Sequence, residues 1–323
     1  MLHTRVAVVR GGPSSEYEIS LITGAEVLTA LRALGYHTTD IVVSKSGEWI
    51  VDGRVRTPEQ TLLTTDVAFI AMHGAYGEDG TIQRVFERHH IPFTGSNSFP
   101  SSIAFNKHAT KRALHDKDIN LPKHVKIRRD EHTDYLAHAE MIATSFGPDY
   151  VLKPTQSGSS HGIMMVQGTV ALAEAIKDVF SVSDECMVEE RIRGTEATVA
   201  VLEDFRNEPL YILPVIEIVP PPTHDFFAAD VKYTGDTLEI CPGRFTFEEK
   251  RKLADAAALV HKTLNLTQYS RSDFMVRDGD VFFLEVNTLP GLTPQSLFPK
   301  AAEAIGLPFH GLVDHLIKTA RVR

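Results

Sequence analysis

The sequence predicts an α/β fold in more than one domain, on three observations. A short uninterrupted apolar run at residues 6–9 reads as a buried parallel strand, followed by a glycine loop and a helical stretch. That β–loop–α alternation continues to about residue 97. Near the other end, two stretches of alternating hydrophobicity flank Arg277-Asp278-Gly279-Asp280, a turn signal, and read as a β-hairpin. A chain of 323 residues has the volume for two or three domains with real cores.

Taken in order, the first strand leads through Gly11-Gly12-Pro13-Ser14-Ser15 into a helix carrying Ile19, Ile22, Leu28 and Leu31, which stops at Gly35. Strands follow at 39–44 and 67–72, with an intervening helix marked by Ile82, Val85 and Phe86. Residues 1–97 therefore read as an N-terminal domain built on an open parallel sheet. Residues 98–187 open with a helix at 106–114 and continue with strands at 123–127, 150–153 and 163–166 and a helix at 171–179. Strands around a polar glycine loop, with helix beside them, suggest a small α+β domain. Residues 188–323 supply strands at 195–202 and 211–218, a Pro-rich loop, a long helix at 247–264 and the hairpin.

Composition limits the function classes. Apolar content of 43% and charged content of 23% are those of a soluble globular protein. A net charge of −9 argues against non-specific nucleic-acid or anionic-membrane binding, so no nucleic acid and no membrane are expected as partners. Cys186 and Cys241 are too few for a disulfide framework or a thiolate metal site. No apolar run approaches the roughly 20 residues needed to span a bilayer. The N-terminus runs straight into a strand without a signal-peptide pattern, and a cytoplasmic enzyme is the expectation.

The hairpin carries the densest chemistry. Alternation puts Phe282, Leu284 and Val286 on one face of the second strand and Phe283, Glu285 and Asn287 on the other. Arg271 and Asp273 have the same i, i+2 relation on the first strand. If the loop is Asp278-Gly279-Asp280, Asp273 faces Glu285 and Arg271 faces Asn287; a two-residue loop would pair Asp273 with Leu284 and split the polar groups between faces. Only the first register avoids burying a polar set, so it is the one expected. Two carboxylates, an amide oxygen and a guanidinium on one patch suit Mg²⁺ carrying a polyphosphate.

Other loops carry supporting signals. Lys153 ends a strand and enters Ser157-Gly158-Ser159-Ser160-His161-Gly162, whose small residues allow backbone N–H groups to approach phosphate. Lys107 is a second candidate phosphate contact. The stretch Glu189-Glu190-Arg191-Ile192-Arg193-Gly194-Thr195-Glu196 links two strands, where backbone groups can read adenine edges and a carboxylate can accept from ribose. Loops at Gly11–Glu16 and His73–Gly80 both follow strands of one open sheet, the edge at which such sheets bind ligands.

Together and in order these motifs resemble the D-alanine–D-alanine ligase family of ATP-grasp enzymes. The matching residues are Gly11-Gly12-x-Ser14-x-Glu16-x-x-Ile19-Ser20, His73-Gly74-x-x-Gly77-Glu78-Asp79-Gly80 and Lys153-Pro154-x-x-x-Gly158-Ser159-Ser160-x-Gly162. Lys232-Tyr233, Cys241-Pro242, Arg271-x-Asp273 and Glu285-x-Asn287-x-x-Pro290-Gly291-x-Thr293-x-x-Ser296-Leu297 complete the set, which spans nearly the whole chain. The resemblance implies a three-domain ATP-grasp fold with ATP between the central and C-terminal domains. It implies ligation of two D-alanine molecules through an acyl phosphate for peptidoglycan precursor synthesis, and a homodimer. It also implies roles. Glu16 would hold the first substrate's ammonium, aided by the His73 loop. Lys107 and Lys153 would contact ATP phosphates, Glu189 the adenine region and Glu196 the ribose. Asp273, Glu285 and Asn287 would hold two Mg²⁺ ions, with Mn²⁺ as a substitute. Arg271 and the Gly291 N–H would stabilise the oxyanion, and the Ser296 and Leu297 N–H groups would seat the second carboxylate. Lys232 and Tyr233 would ride a closing loop, with Ser159 and Tyr233 near the attacking amine. Two positions depart from the family pattern: His161 replaces a small aliphatic residue, and Asn106 an acidic one.

A ligase that uses D-lactate or another D-amino acid is the same-class alternative. A non-catalytic ATP-binding homologue is the alternative from another class, and it would normally have lost a metal ligand or the arginine, all of which are present.

Overall fold

The computed structural model describes residues 4–129, 134–156, 162–221 and 237–321. Three sheets organise it. The first contains β1 (Arg5–Gly11), β2 (His37–Val43), β3 (Trp49–Val51), β4 (Arg54–Arg56) and β5 (Val67–Ile70), in the order β4-β3-β2-β1-β5. Helix α1 (Tyr17–Ala33) follows β1, α2 (Pro58–Leu62) precedes β5, and α3 (Thr81–Arg88) follows β5. Strands β2, β1 and β5 are parallel, as the apolar run predicts, but β3 and β4 add an antiparallel edge that the sequence reading did not include. Gly11 ends β1 at a φ of 85°, and a Cβ there would lie 2.4 Å from the Val43 carbonyl oxygen, so only glycine lets the loop leave at this point.

Next come α4 (Ser98–Phe105) and α5 (Lys107–Leu114), then β6 (His124–Arg128), α6 (Tyr135–Ala143), β7 (Asp149–Pro154), β8 (Met164–Gln167), α7 (Thr169–Val179) and β9 (Glu185–Glu190). The second sheet is antiparallel, in the order β6-β9-β7-β8, and its core packs Leu152 and Val188 against Ile142, Leu172 and Ile176. Because β9 stays in this sheet to Glu190, the change of sheet falls after that residue, not at 187. Asn106 separates the two opening helices: its backbone is extended, and its side-chain oxygen accepts from Ala109 N–H at 2.9 Å. An amide thus caps α5 where the family pattern has an acid, and both residue types serve that purpose.

The third sheet contains β10 (Thr195–Phe205), β11 (Glu208–Ile212), β12 (Ile216–Val219), β13 (Leu238–Ile240), β14 (Tyr269–Arg277) and β15 (Asp280–Asn287), with α8 (Phe247–Thr263) on one face. Its order is β13-β12-β10-β14-β15, and β11 also pairs with β10. The single strand expected at 211–218 is thus two strands, broken around Pro214, which has no N–H to give to a ladder. Helix α8 forms where expected. A Thr246–Glu249 capping box starts it, and Leu253, Ala256, Ala257 and Val260 put one apolar stripe on the sheet.

The chain closes with α9 (Leu297–Glu303) and α10 (Phe309–Thr319). These C-terminal helices return to the first sheet. Leu31 and Phe69 share a core with Tyr269, Phe298, Leu312 and Leu316, and Tyr36 donates to Asp314 at 2.7 Å. The N- and C-terminal segments are therefore joined by one continuous apolar core. Among the described residues no helix is long and apolar enough to cross a membrane.

Candidate active site

Strands β14 and β15 meet at Arg277 and Asp280, so the loop is the two-residue Asp278-Gly279 and not the expected three. Both loop residues have positive φ, 53° and 80°, the requirement of a tight type I′ hairpin. Asp273 nevertheless faces Glu285 and Arg271 faces Asn287. The reason is a bulge. Phe274 pairs with Phe283 and Asp273 with Glu285, so Leu284 is the additional residue on its strand. The bulge also corrects the expected faces. Phe283 joins Phe274 and Val286 in the core beneath α8, while Leu284, Glu285 and Asn287 line a cleft. Strict alternation would have exposed Phe283 beside two polar groups.

On the polar face Arg271 grips Asp273 with two hydrogen bonds, Nε to Oδ1 at 3.0 Å and a terminal nitrogen to Oδ2 at 2.9 Å. Thr198 on β10 donates to Asp273 Oδ1 at 2.5 Å, and Asn287 Nδ2 donates to Oδ2 at 3.3 Å. Burial alone would lower the Arg271 pKa, but the charge and hydrogen bonds of Asp273 outweigh it and raise it. Lys107, in the first turn of α5, places Nζ 3.2 Å from Glu285 Oε2. Each carboxylate of the pair thus has its own cation.

One turn along α5, Lys111 is wholly buried and reaches Glu189 Oε1 at 2.7 Å. Lys153, from the end of β7, takes Glu189 Oε2 at 2.5 Å. Burial would push the Glu189 carboxyl up, but the two ammonium groups hold it well below the usual carboxylate range. Glu189 therefore meets a lysine with each of its oxygens, and it also lines the second cleft described below.

The loops of the first sheet bring Glu16, His73 and Glu78 to the same cleft. Glu16 occupies the N-cap position of α1 but makes no side-chain cap hydrogen bond, so helix capping does not account for it. Ser14 Oγ donates to the His73 carbonyl at 2.7 Å and accepts from Glu16 N–H at 3.2 Å, tying the two loops together. Gly74 is pressed against the acid: a Cβ there would lie 2.7 Å from Glu16 Oε2. The His73 ring is fully engaged, Nδ1 with the Leu289 carbonyl at 3.0 Å and Nε2 with Thr23 Oγ1 at 2.9 Å. Since a carbonyl only accepts, Nδ1 carries the proton and Nε2 accepts from the threonine. Glu78 accepts from Gly74 N–H at 2.9 Å, and burial together with the Glu16 charge pushes its carboxyl up to about 8.

Two clefts result, and they touch. The first, about 220 Å³, holds Glu16, His73, Lys107, Asn287, Gly291 and Ser296. The second, about 100 Å³, is lined by Lys153, Glu189, Ile192, Glu196, Met275 and Asp273. Arg271, Leu284, Glu285 and Leu297 border both. Ser296 N–H is already given to the Thr293 carbonyl at 2.9 Å, so of the two expected backbone donors this one is spent. Its hydroxyl instead sits 2.9 Å from that of Thr293. Ser159, Lys232, Tyr233 and His161 lie outside the described residues.

The chain is similar to known proteins over nearly its whole length. The family model described as D-ala D-ala ligase C-terminus matches residues 113–318, and that described as D-ala D-ala ligase N-terminus matches residues 53–96. A D-alanine–D-alanine ligase of Geobacter sulfurreducens is 35% identical over 99% of this chain and 95% of its own. One from Carboxydothermus hydrogenoformans is 37% identical, with 97% of each chain covered. The chain belongs to the D-alanine–D-alanine ligase family. Among solved structures, VanG D-Ala:D-Ser ligase from Enterococcus faecalis superposes with a TM-score of 0.85 at 28% identity, over 98% of this chain and 99% of that one. The D-alanine–D-alanine ligase of Bacillus anthracis complexed with ATP gives a TM-score of 0.79 at 29% identity, covering 98% and 97%. The three sheets are thus those of an ATP-grasp fold.

Within this D-alanine–D-alanine ligase fold, three side chains of the site escaped the sequence reading. Thr198 sits mid-strand and shows its position only when β10 pairs with β14, opposite Asp273. Glu78 stood inside a recognised loop without being singled out. Lys111 had one legible signal, its i+4 spacing from Lys107 on a helix, which puts both on one face.

Proposed function

We propose that this protein joins two D-alanine molecules in an ATP-driven reaction, giving D-alanyl-D-alanine for peptidoglycan precursor synthesis in the cytoplasm, and that it works as a homodimer. One observation carries this reading: a polar cleft with acidic and hydroxyl groups meets an apolar-walled cleft backed by lysine, and Arg271 and Glu285 stand at the junction. The first cleft suits two small zwitterions and the second a nucleotide, so the γ-phosphate would fall at the junction.

In that arrangement Glu16 takes the ammonium of the first D-alanine, leaving its carboxylate directed at the junction. The carboxylate attacks the γ-phosphorus, ADP departs, and an acyl phosphate forms. The amine of the second D-alanine then attacks the acyl carbon, the tetrahedral oxyanion collapses, and phosphate leaves. Lys107 and Lys153 offset phosphate charge. Arg271, held flat by Asp273, and the Gly291 N–H face the oxyanion. Leu297 N–H and the Ser296 hydroxyl seat the second carboxylate. Ser159, Lys232 and Tyr233 are proposed to close the site and assist the attacking amine, on the family resemblance alone.

Asp273, Glu285 and Asn287 are hard oxygen donors on one face, and they fit magnesium. Among the described residues no group of three His, Cys, Asp or Glu forms a metal cluster, so the amide is needed to complete the set. Bound there, Mg²⁺, or Mn²⁺ in its place, would neutralise polyphosphate charge. The three side chains already lie side by side: Asp273 and Glu285 are opposed, and Asn287 faces Arg271 next to them.

The test is phosphate release from ATP with D-alanine alone and with D-serine or D-lactate as competing acceptor, the products being separated by mass spectrometry. D-serine belongs in the panel because the Enterococcus faecalis neighbour is a D-Ala:D-Ser ligase. D-alanyl-D-alanine is expected as the main product. ATP turnover indifferent to D-alanine would overturn the reading.

A further inference from the structure

Lys111 has no reach to either cleft. Its side chain has zero exposure, and it is absent from the lining of both, yet it approaches Glu189 at 2.7 Å. Behind it stand the Phe283 carbonyl, 3.5 Å away, and the Phe283 ring, whose centroid is 6.0 Å from Nζ. Glu189, 2% exposed, thus sits between two cations, one sealed in the interior and one, Lys153, facing the nucleotide cleft.

The charge arithmetic at this site is unusual. A single lysine would suffice to neutralise Glu189. With only Lys153 present, any movement of that ammonium toward a phosphate would strand a buried carboxylate, which is strongly unfavourable. The interior lysine removes that obstacle, because Glu189 keeps one partner while Lys153 turns outward. Lys111 also belongs to the same helix as Lys107, which addresses Glu285, so α5 carries both cations at fixed spacing.

We propose that Lys111 is a positioning residue for nucleotide binding: it neutralises Glu189 from the interior and so frees Lys153 for the triphosphate. The proposal rests on the reading of the second cleft as the nucleotide site. It deepens that reading by naming what sets the availability of its lysine.

The experiment is calorimetric titration of the full-length protein with ATP, for wild type, Lys111→Met, Glu189→Gln and the double variant, with melting curves and the D-alanine KM measured alongside. Lys111→Met keeps length and removes charge. ATP affinity should fall by about 10- to 100-fold, the effect of losing one charge-assisted contact. The D-alanine KM should stay within about twofold, as expected of a site with no shared partner. In the Glu189→Gln background, where the Glu189 carboxylate no longer holds Lys153, adding Lys111→Met should change ATP affinity by less than about twofold. Should Lys111→Met alone not fold, the double variant is still readable, since it leaves no charge sealed in the interior: Lys153 lines the nucleotide cleft, where the Glu285 and Glu196 charges also act on it. Equal losses of affinity in both backgrounds, unaltered ATP binding in Lys111→Met, or parallel losses for ATP and D-alanine would overturn the proposal. Failure of the wild type to bind ATP would instead overturn the nucleotide reading itself.

Discussion

Replacing His73 by leucine separates two roles that its place in the cleft leaves entangled. The imidazole bridges Thr23 on α1 and the Leu289 carbonyl on the segment that leads to Gly291, and it is buried. Leucine fills most of the volume but makes neither hydrogen bond. The Leu289 carbonyl then stays buried without this partner, at a cost of about 1–3 kcal/mol. The Thr23 hydroxyl can turn back to the helix carbonyl four residues earlier, so its loss adds little. A destabilisation of roughly 1–3 kcal/mol is therefore expected, read from the urea midpoint at constant m. Turnover should fall through kcat, since the Leu289–Gly291 segment loses its anchor, and the first D-alanine's KM should move little. Burial lowers the His73 pKa below its ordinary 6.5, so its contribution is present above that value and is lost as pH falls through the folded pKa. The leucine variant should accordingly show a flatter acid limb below about pH 6.5. Unchanged stability with a raised KM for the first D-alanine would refute this reasoning and make the ring a direct substrate ligand.

Glu285→Gln should shift the Mg²⁺ requirement upward and remove most turnover, and because it also weakens the ion pair with the nearly buried Lys107 the melting temperature should fall somewhat while the protein stays folded; near-normal activity at low Mg²⁺ would count against a ligand role. Glu16→Gln should weaken the first D-alanine by about 10- to 100-fold and leave ATP binding unaffected, a charge-assisted contact being worth about 1.5–3 kcal/mol; equal losses for both would contradict it. Glu78 has a folded pKa of about 8, above its unfolded value of 4.5, so its contribution is fully present below the unfolded value and lost as pH rises through 8. Between those limits wild type should lose up to about 1.4 kcal/mol per pH unit relative to Glu78→Gln, and parallel stability curves for the two proteins would show that Glu78 is already ionised at neutral pH.

Much of the fold was legible in local pattern. The apolar run of β1, the capping box and apolar stripe of α8, and the glycine turn of the last hairpin all encode structure within a few residues. The chemistry was legible as residue types at fixed spacing: Arg271 with Asp273, and Glu285 with Asn287. The elements that went unread, α2, α4, α6, α9, α10, β13 and the β3–β4 edge, are mostly short or weakly patterned.

What only the tertiary structure decided concerns which groups meet. The sequence by itself determined that Asp273 and Glu285 would be opposed, since no other register keeps polar groups out of the core. It did not determine how. A two-residue turn set by local φ values and a polar face set by the core are out of step by one residue, and the bulge at Leu284 reconciles them. The partners of Glu189 were equally invisible, because Lys111, Lys153 and Glu189 come from separate elements that only packing brings within 3 Å. Local sequence fixes backbone direction within a few residues, whereas the charge state of a buried carboxylate depends on whatever the whole fold packs around it.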